Sequence, residues 1–203
     1  MNDTHSVVHI VDDEEPIRRS LRMLLRSVQI DVETHSSAAS FLDHWNSTDR
    51  GCILLDVRMP EMSGLELQEK LLARGVKTPI IFMTAHADVS MAVRVMKNGA
   101  FDLLEKPFTD QQVLDRIGRA LEKDRTETRS RAHREALHAR YGRLTPRERE
   151  VMELLLLGKA NKMVAHDLAI SERTVEIHRS RIMRKMGASS LAMLVTIGNE
   201  LGP

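Results

Sequence analysis

Short apolar runs alternate along the first 120 residues with segments whose apolar positions recur every three or four residues. The run at 52–55 is unbroken and stops at a carboxylate, the pattern of a strand buried on both faces, and the short apolar runs at 7–11 and 79–83 also end at polar residues. Residues 30–34 alternate, and 101–104 form a fifth run. Between the strands, Ile17, Leu21, Leu24, Leu25 and Val28 share a helical face behind Pro16, which suits a first helical turn. Ser36 and Ser37 can cap a second helix reaching Trp45, and a third over 65–73 stops at Gly75. A fourth opens at Asp88 or Ser90, carries Met91, Val95 and Met96, and stops at Asn98-Gly99. The fifth begins at Asp110 with Val113, Leu114, Ile117 and Leu121 on one face. Strands alternating with helices through short loops predict an α/β fold, a doubly wound five-stranded parallel sheet.

Beyond residue 122 the pattern changes. The apolar row of the fifth helix continues as Asp124 and Thr128, so no coiled-coil seam follows. Residues 123–142 read as a charged, solvated helical linker. Thr145-Pro146-Arg147-Glu148 is a capping box with Pro in the first turn. Val151, Leu154 and Leu155 supply that helix's apolar face, and Gly158 ends it. A short helix over 161–168 turns Met163, Val164 and Leu168 inward, and Ala169-Ile170 is a tight link. Ser171 caps a third helix over 172–186 with Val175, Ile177, Ile182 and Met186 apolar; Gly187 stops it. Leu191, Leu194, Val195 and Ile197 mark a fourth. Short helix, brief turn and longer basic helix predict a four-helix all-α helix-turn-helix domain over 143–203. The third helix displays Arg173, Thr174, His178, Arg179, Arg181, Arg184 and Lys185, a face suited to a major groove and its phosphates. A protein-binding bundle with a basic stripe has the same pattern.

Composition sharpens this division. The 203 residues are 42% hydrophobic but only 3% aromatic, so the cores must be aliphatic and Met-rich. No apolar run approaches the roughly 18 residues of a membrane span, and the N-terminus lacks the marks of a signal peptide. Cys52, alone, excludes an internal disulfide and offers no zinc set. A cytoplasmic protein is expected. Residues 1–124 hold 15 Lys and Arg against 20 Asp and Glu, a net −5, whereas 125–203 hold 15 against 9, a net +6. An acidic front and a basic back imply modules with different partners, the basic one suiting nucleic acid.

The strand ends carry the candidate chemistry. A doubly wound sheet gathers the carboxyl ends of its strands on one edge, where ligands bind. Those ends are Asp12 and Asp13, then Asp56, Thr84 and Lys106. Glu14 and Glu15 read instead as first-turn acids complementing a helix dipole. Asp13 and Asp56 can ligate Mg²⁺ directly, Asp12 directly or through water, and the Arg58 backbone carbonyl can add another oxygen. Asp56 is then the natural nucleophile toward a phosphoryl group. The metal and Lys106 would neutralise the transferring oxygens, and Thr84 can donate to the new phosphoryl group. A haloacid-type phosphatase would carry a second Asp two residues after Asp56; Arg58 stands there.

The motifs VDDEEP at 11–16, LLDVRMPEMSG at 54–64, TAHAD at 84–88 and GAFDLLEKPF at 99–108 resemble the receiver domains of two-component response regulators, over 5–122. Residues 144–201, with LTPRERE, AISERTVEIHRS and KMG, resemble the LuxR-type DNA-binding domain. The whole chain is similar to regulators of the FixJ/NarL type. The resemblance implies that Asp56 takes phosphate from a partner histidine kinase with Mg²⁺ held by Asp12, Asp13 and the Arg58 carbonyl, and that Lys106-Pro107 is cis. It implies that Thr84 moves on phosphorylation. The aromatic residue that many receivers place three before the lysine is Leu103 here; Phe101 is the nearest aromatic and shares its strand face by period two. In the second domain the resemblance sets Thr174, Glu176, Ile177, Arg179 and Ser180 nearest the bases. Lys162, His178 and Lys185 meet phosphates or brace the fold. Glu176 either accepts from a cytosine amino group or pairs with a neighbouring arginine. The protein so implied is a transcription regulator rather than an enzyme, homodimeric when phosphorylated, acting on duplex promoter DNA with RNA polymerase.

Overall fold

The computed structural model describes residues 6–46, 50–85 and 89–202. The chain divides into two compact units, Met1–Glu127 and Thr128–Pro203.

In the first unit the strands are β1 (Val7–Val11), β2 (Asp31–His35), β3 (Gly51–Asp56), β4 (Ile80–Thr84) and β5 (Asp102–Glu105). All pair in parallel, in the order β2-β1-β3-β4-β5. The central β3 and β4 are buried at every position, as their unbroken apolar runs require, while edge strand β2 alternates. Its helices are α1 (Glu15–Ser27), α2 (Ala38–His44), α3 (Gly64–Ala73), α4 (Val89–Lys97) and the first part of α5 (Asp110–Gly142), whose later residues belong to the second unit. Val8, Ile10, Cys52, Leu54, Ile81 and Met83 pack against α1 and α5 on one face. Val11, Ile53, Leu55 and Phe82 pack against α2 and α3 on the other. The expected doubly wound sheet is therefore present, with the predicted strands 30–34, 79–83 and 101–104 displaced by one residue. Which of Asp88 and Ser90 caps α4 lies outside the described residues.

Two glycines fix the two ends of β3. Gly64 begins α3 directly over β3, where a Cβ would collide with the Asp56 carbonyl oxygen. Gly51, at φ +129°, starts β3 where a Cβ would strike Val7.

Several sequence expectations need correction. Val28 is exposed because α1 ends at Ser27 and the helical face ends with it. Met96 is exposed because Val95, one residue away on the wheel, takes the inward position. Phe101 and Leu103 do not share a face: Phe101 packs with the α5 side, under Arg119 and Lys123, and Leu103 with the α3 and α4 side. Period two holds only within a strand, and β5 begins at Asp102, after Phe101. The segment 123–142 is not uniformly solvated. It continues α5, and Asp124 and Leu137 are both buried, Asp124 accepting the Gly51 N–H at 3.1 Å.

The second unit contains α6 (Pro146–Leu156), α7 (Asn161–Asp167), α8 (Glu172–Met186) and α9 (Leu191–Leu201). The Thr145–Glu148 capping box is formed in both directions, Ser171 caps α8, and Gly187 at φ +71° ends it. The core joins Leu137, Val151, Met152, Leu155, Val164, Val175, Ile182, Met186, Leu194 and Ile197. Met163, expected inside, is exposed, and so is Ile177. On the short α7, Val164 and Ala165 fill the narrow inward arc; on α8, Val175 and Ile182 define the buried line and Ile177 lies off it.

Candidate functional site

Four strand ends bring the acidic edge together. Asp12 follows β1, Asp56 ends β3, Thr84 ends β4 and Lys106 follows β5. The Lys106 ammonium donates to Asp56 Oδ1 at 2.6 Å and to Asp12 Oδ2 at 2.9 Å. Asp12 and Asp56 are buried, and Lys106 keeps only a small exposed fraction. Their remaining carboxylate oxygens are also bonded: the Glu14 N–H donates to Asp12 Oδ1 at 2.8 Å and the Arg58 N–H to Asp56 Oδ2 at 2.7 Å. Asp13 stands exposed beside Asp12. Thr84 is buried, and its carbonyl accepts the Lys106 N–H at 2.7 Å. The Lys106-Pro107 bond is cis.

Burial pushes the Asp56 carboxyl above the usual carboxylate range, an effect that Lys106 opposes and the Asp12 charge reinforces. Lys106 is pulled down by burial and up by its two carboxylate bonds; the bonds prevail, so it stays charged. The edge thus holds two buried acids around one cation, with the exposed Asp13 next in sequence to one of them. Glu14 belongs to the edge as well. It is the N-cap of α1, makes no side-chain cap bond, and lies 3.6 Å from Lys106. Its neighbourhood to Glu15 made it look like a helix-dipole acid; only the fold places it against a lysine 92 residues away.

The basic helix α8 has two sides. Arg173, Glu176, Ile177, Ser180, Arg181 and Arg184 line one outward groove at helical spacing. Thr174, His178, Arg179 and Lys185 turn partly toward the fold. Lys185 donates to the buried Glu148 at 2.6 Å and to the Arg143 carbonyl at 3.1 Å. Arg179 donates to Asn161 at 3.2 Å, and the Ser171 hydroxyl contacts that of Thr174 at 2.8 Å. Lys162, on α7, is exposed. Arg173, Arg181 and Arg184 therefore join the outward set, and their i, i+8 and i+11 spacing was the available signal.

Comparison with known proteins agrees over both units. Residues 8–118 match the response regulator receiver domain, and 143–197 match the bacterial regulatory proteins of the luxR family. The transcriptional regulatory protein FixJ of Azorhizobium caulinodans is 47% identical over 188 residues, 93% of this chain and 89% of its own length. The C4-dicarboxylate transport transcriptional regulatory protein DctR of Rhodobacter capsulatus is 47% identical over 189 residues, 92% of this chain and 96% of its own. Among solved structures, the response regulator StyR matches 97% of this chain and 99% of its own at 43% identity, with a TM-score of 0.91. A carboxylate edge on a doubly wound sheet and a basic helix-turn-helix, each matched by its own family and both by relatives of nearly equal length, make this chain a member of the two-component response regulators that carry a LuxR-type DNA-binding domain and regulate transcription.

Proposed function

We propose that this regulator is switched by phosphorylation of Asp56. The observation carrying the reading is the single ammonium of Lys106 held between Asp56 and Asp12 at 2.6 and 2.9 Å. In the transfer, the P–N bond of a phosphohistidine on a partner kinase breaks as a bond forms from an Asp56 carboxylate oxygen to phosphorus. Lys106 faces the phosphoryl oxygens, and Thr84 donates to the product from the neighbouring strand end.

The donor set fits Mg²⁺. Asp12 and Asp56 converge on one cation already, and the exposed Asp13 carboxylate and the Arg58 backbone carbonyl would add further oxygens. When bound, the metal supplies charge that offsets the negative oxygens of the transferring group.

The receiver domain would cover 5–122, a helical linker 123–142 and the DNA-binding domain 143–203. Phosphorylation alters dimerisation or domain release, so that the protein binds duplex promoter DNA as a homodimer and acts with RNA polymerase in the cytoplasm. Thr84, Phe101 and Leu103 would transmit the change; since Phe101 and Leu103 face opposite sides of the sheet, they act through different helices. Thr174, Glu176, Ile177, Arg179 and Ser180 would read bases, while Lys162 and His178 meet phosphates. Lys185 braces the domain through Glu148.

Light scattering with Mg²⁺, before and after beryllofluoride, tests the switch. A doubling of molar mass that Asp56→Asn abolishes is expected. Equal binding of the mimic by Asp56→Asn would overturn the assignment of Asp56. Binding without any change in mass would overturn dimerisation in free solution.

A further inference from the structure

The face of the sheet under α2 carries a second group of ligand atoms, remote in chemistry from the aspartate edge. His9 on β1 and Glu33 on β2 are register partners, and His35 lies two residues further along β2 on the same side. The His9 Nδ1 is 3.3 Å from the His35 Nε2 and 3.7 Å from the Glu33 Oε2. One ligand atom from each of the three residues fits within a 4.8 Å span. Both imidazoles are buried, and the Glu33 side chain, 58% exposed, opens the group to solvent.

We propose that His9, Glu33 and His35 form a binding site for a divalent transition cation, Zn²⁺ above all. Two imidazoles and one carboxylate are the borderline donor set of that class, not the all-oxygen set of Mg²⁺. Tetrahedral coordination at Zn–N distances of about 2.0–2.1 Å sets neighbouring donors about 3.3 Å apart, which the two histidine nitrogens already match. The exposed Glu33 carboxylate can close the longer separation and serves as the route of entry. A fourth position is left for water. The ligands are dispersed over two strands, His9 and Glu33 standing 24 positions apart, so no short motif announces them. The His35 carbonyl accepts the Asp12 N–H at 3.2 Å, which links the site through one peptide to the aspartate edge.

The test uses the full chain carrying Asp13→Asn and Asp56→Asn, which removes competing carboxylates at the sheet edge. Zn²⁺ is titrated by calorimetry. Co²⁺ is followed by the emission of Trp45, the sole tryptophan, whose ring centroid is 5.2 Å from that of His9. Saturable Zn²⁺ binding and matching Co²⁺ quenching of Trp45 are expected. Glu33→Gln should weaken both about tenfold or more, and His35→Gln should abolish them. Because Glu33 is exposed, its variant leaves the fold intact even if His35→Gln does not. Absence of quenching, or a titration unchanged by Glu33→Gln, overturns the site.

Discussion

Burial works in opposite directions on an acid and on a base. It raises the Asp56 carboxyl and lowers the His35 imidazole from an ordinary 6.5 to about 4, with His9 and His44 adding to the fall. His35 packs edge-on against Phe41 and beside the His9 ring, with the Glu33 carboxylate near that pair. A histidine whose pKa is depressed by folding contributes stability that is fully present above about 6.5 and lost as pH falls through about 4. In chelator, chemical denaturation should show a loss on the order of 1–2 kcal/mol across that window, solvent screening taken into account. His35→Gln should flatten the profile; an unchanged profile would refute the assignment. Asp12, Asp56, Thr84 and Lys106 were legible from sequence because each ends or follows an apolar run. Glu14 and His35 were not. The role of each is made by a partner distant in sequence: Lys106 for Glu14, and His9 with α2 for His35.

At the scale of the element, α8 shows how far periodicity reaches. Its start, stop and basic character were plain from Ser171, Gly187 and five Arg and Lys residues from Arg173 to Lys185, with His178 among them. Its orientation was not, because basic residues occur all around the helix and only packing selects the outward side. Val175, Ile182 and Met186 choose it, leaving Arg173, Arg181 and Arg184 outside and Lys185 on Glu148. Arg181→Ala should therefore reduce the slope of log affinity against log salt for duplex DNA by about one. Titrations at several salt concentrations measure it, and a slope equal to wild type would remove Arg181 from the phosphate contacts. The strand β5 teaches the converse. A shift of one residue in its start sends Phe101 to the opposite side of the sheet from Leu103, so a correct strand still led to an incorrect face.

At the scale of the molecule, the two units have separate cores and different charge. They should respond separately to heat. Mg²⁺ should raise the melting transition of the first unit alone, since only that unit holds the aspartate edge. Lys185→Met should lower the transition of the second by about 5 °C or more, because Glu148 would stay buried without its cation. Scanning calorimetry distinguishes them; both changes moving one shared transition would contradict independent cores. The sequence alone determined the alternation of strands and helices, the doubly wound class, the acids at the strand ends and the helix-turn-helix. Each follows from local periodicity, capping or the rule that parallel strands end on one edge. The tertiary structure alone decided which side of α8 faces outward, that α5 runs on to Gly142 with Asp124 and Leu137 buried, and that His9, Glu33 and His35 meet. Those outcomes depend on strand register and on competition between residues for one core, and neither is encoded within any short stretch of chain.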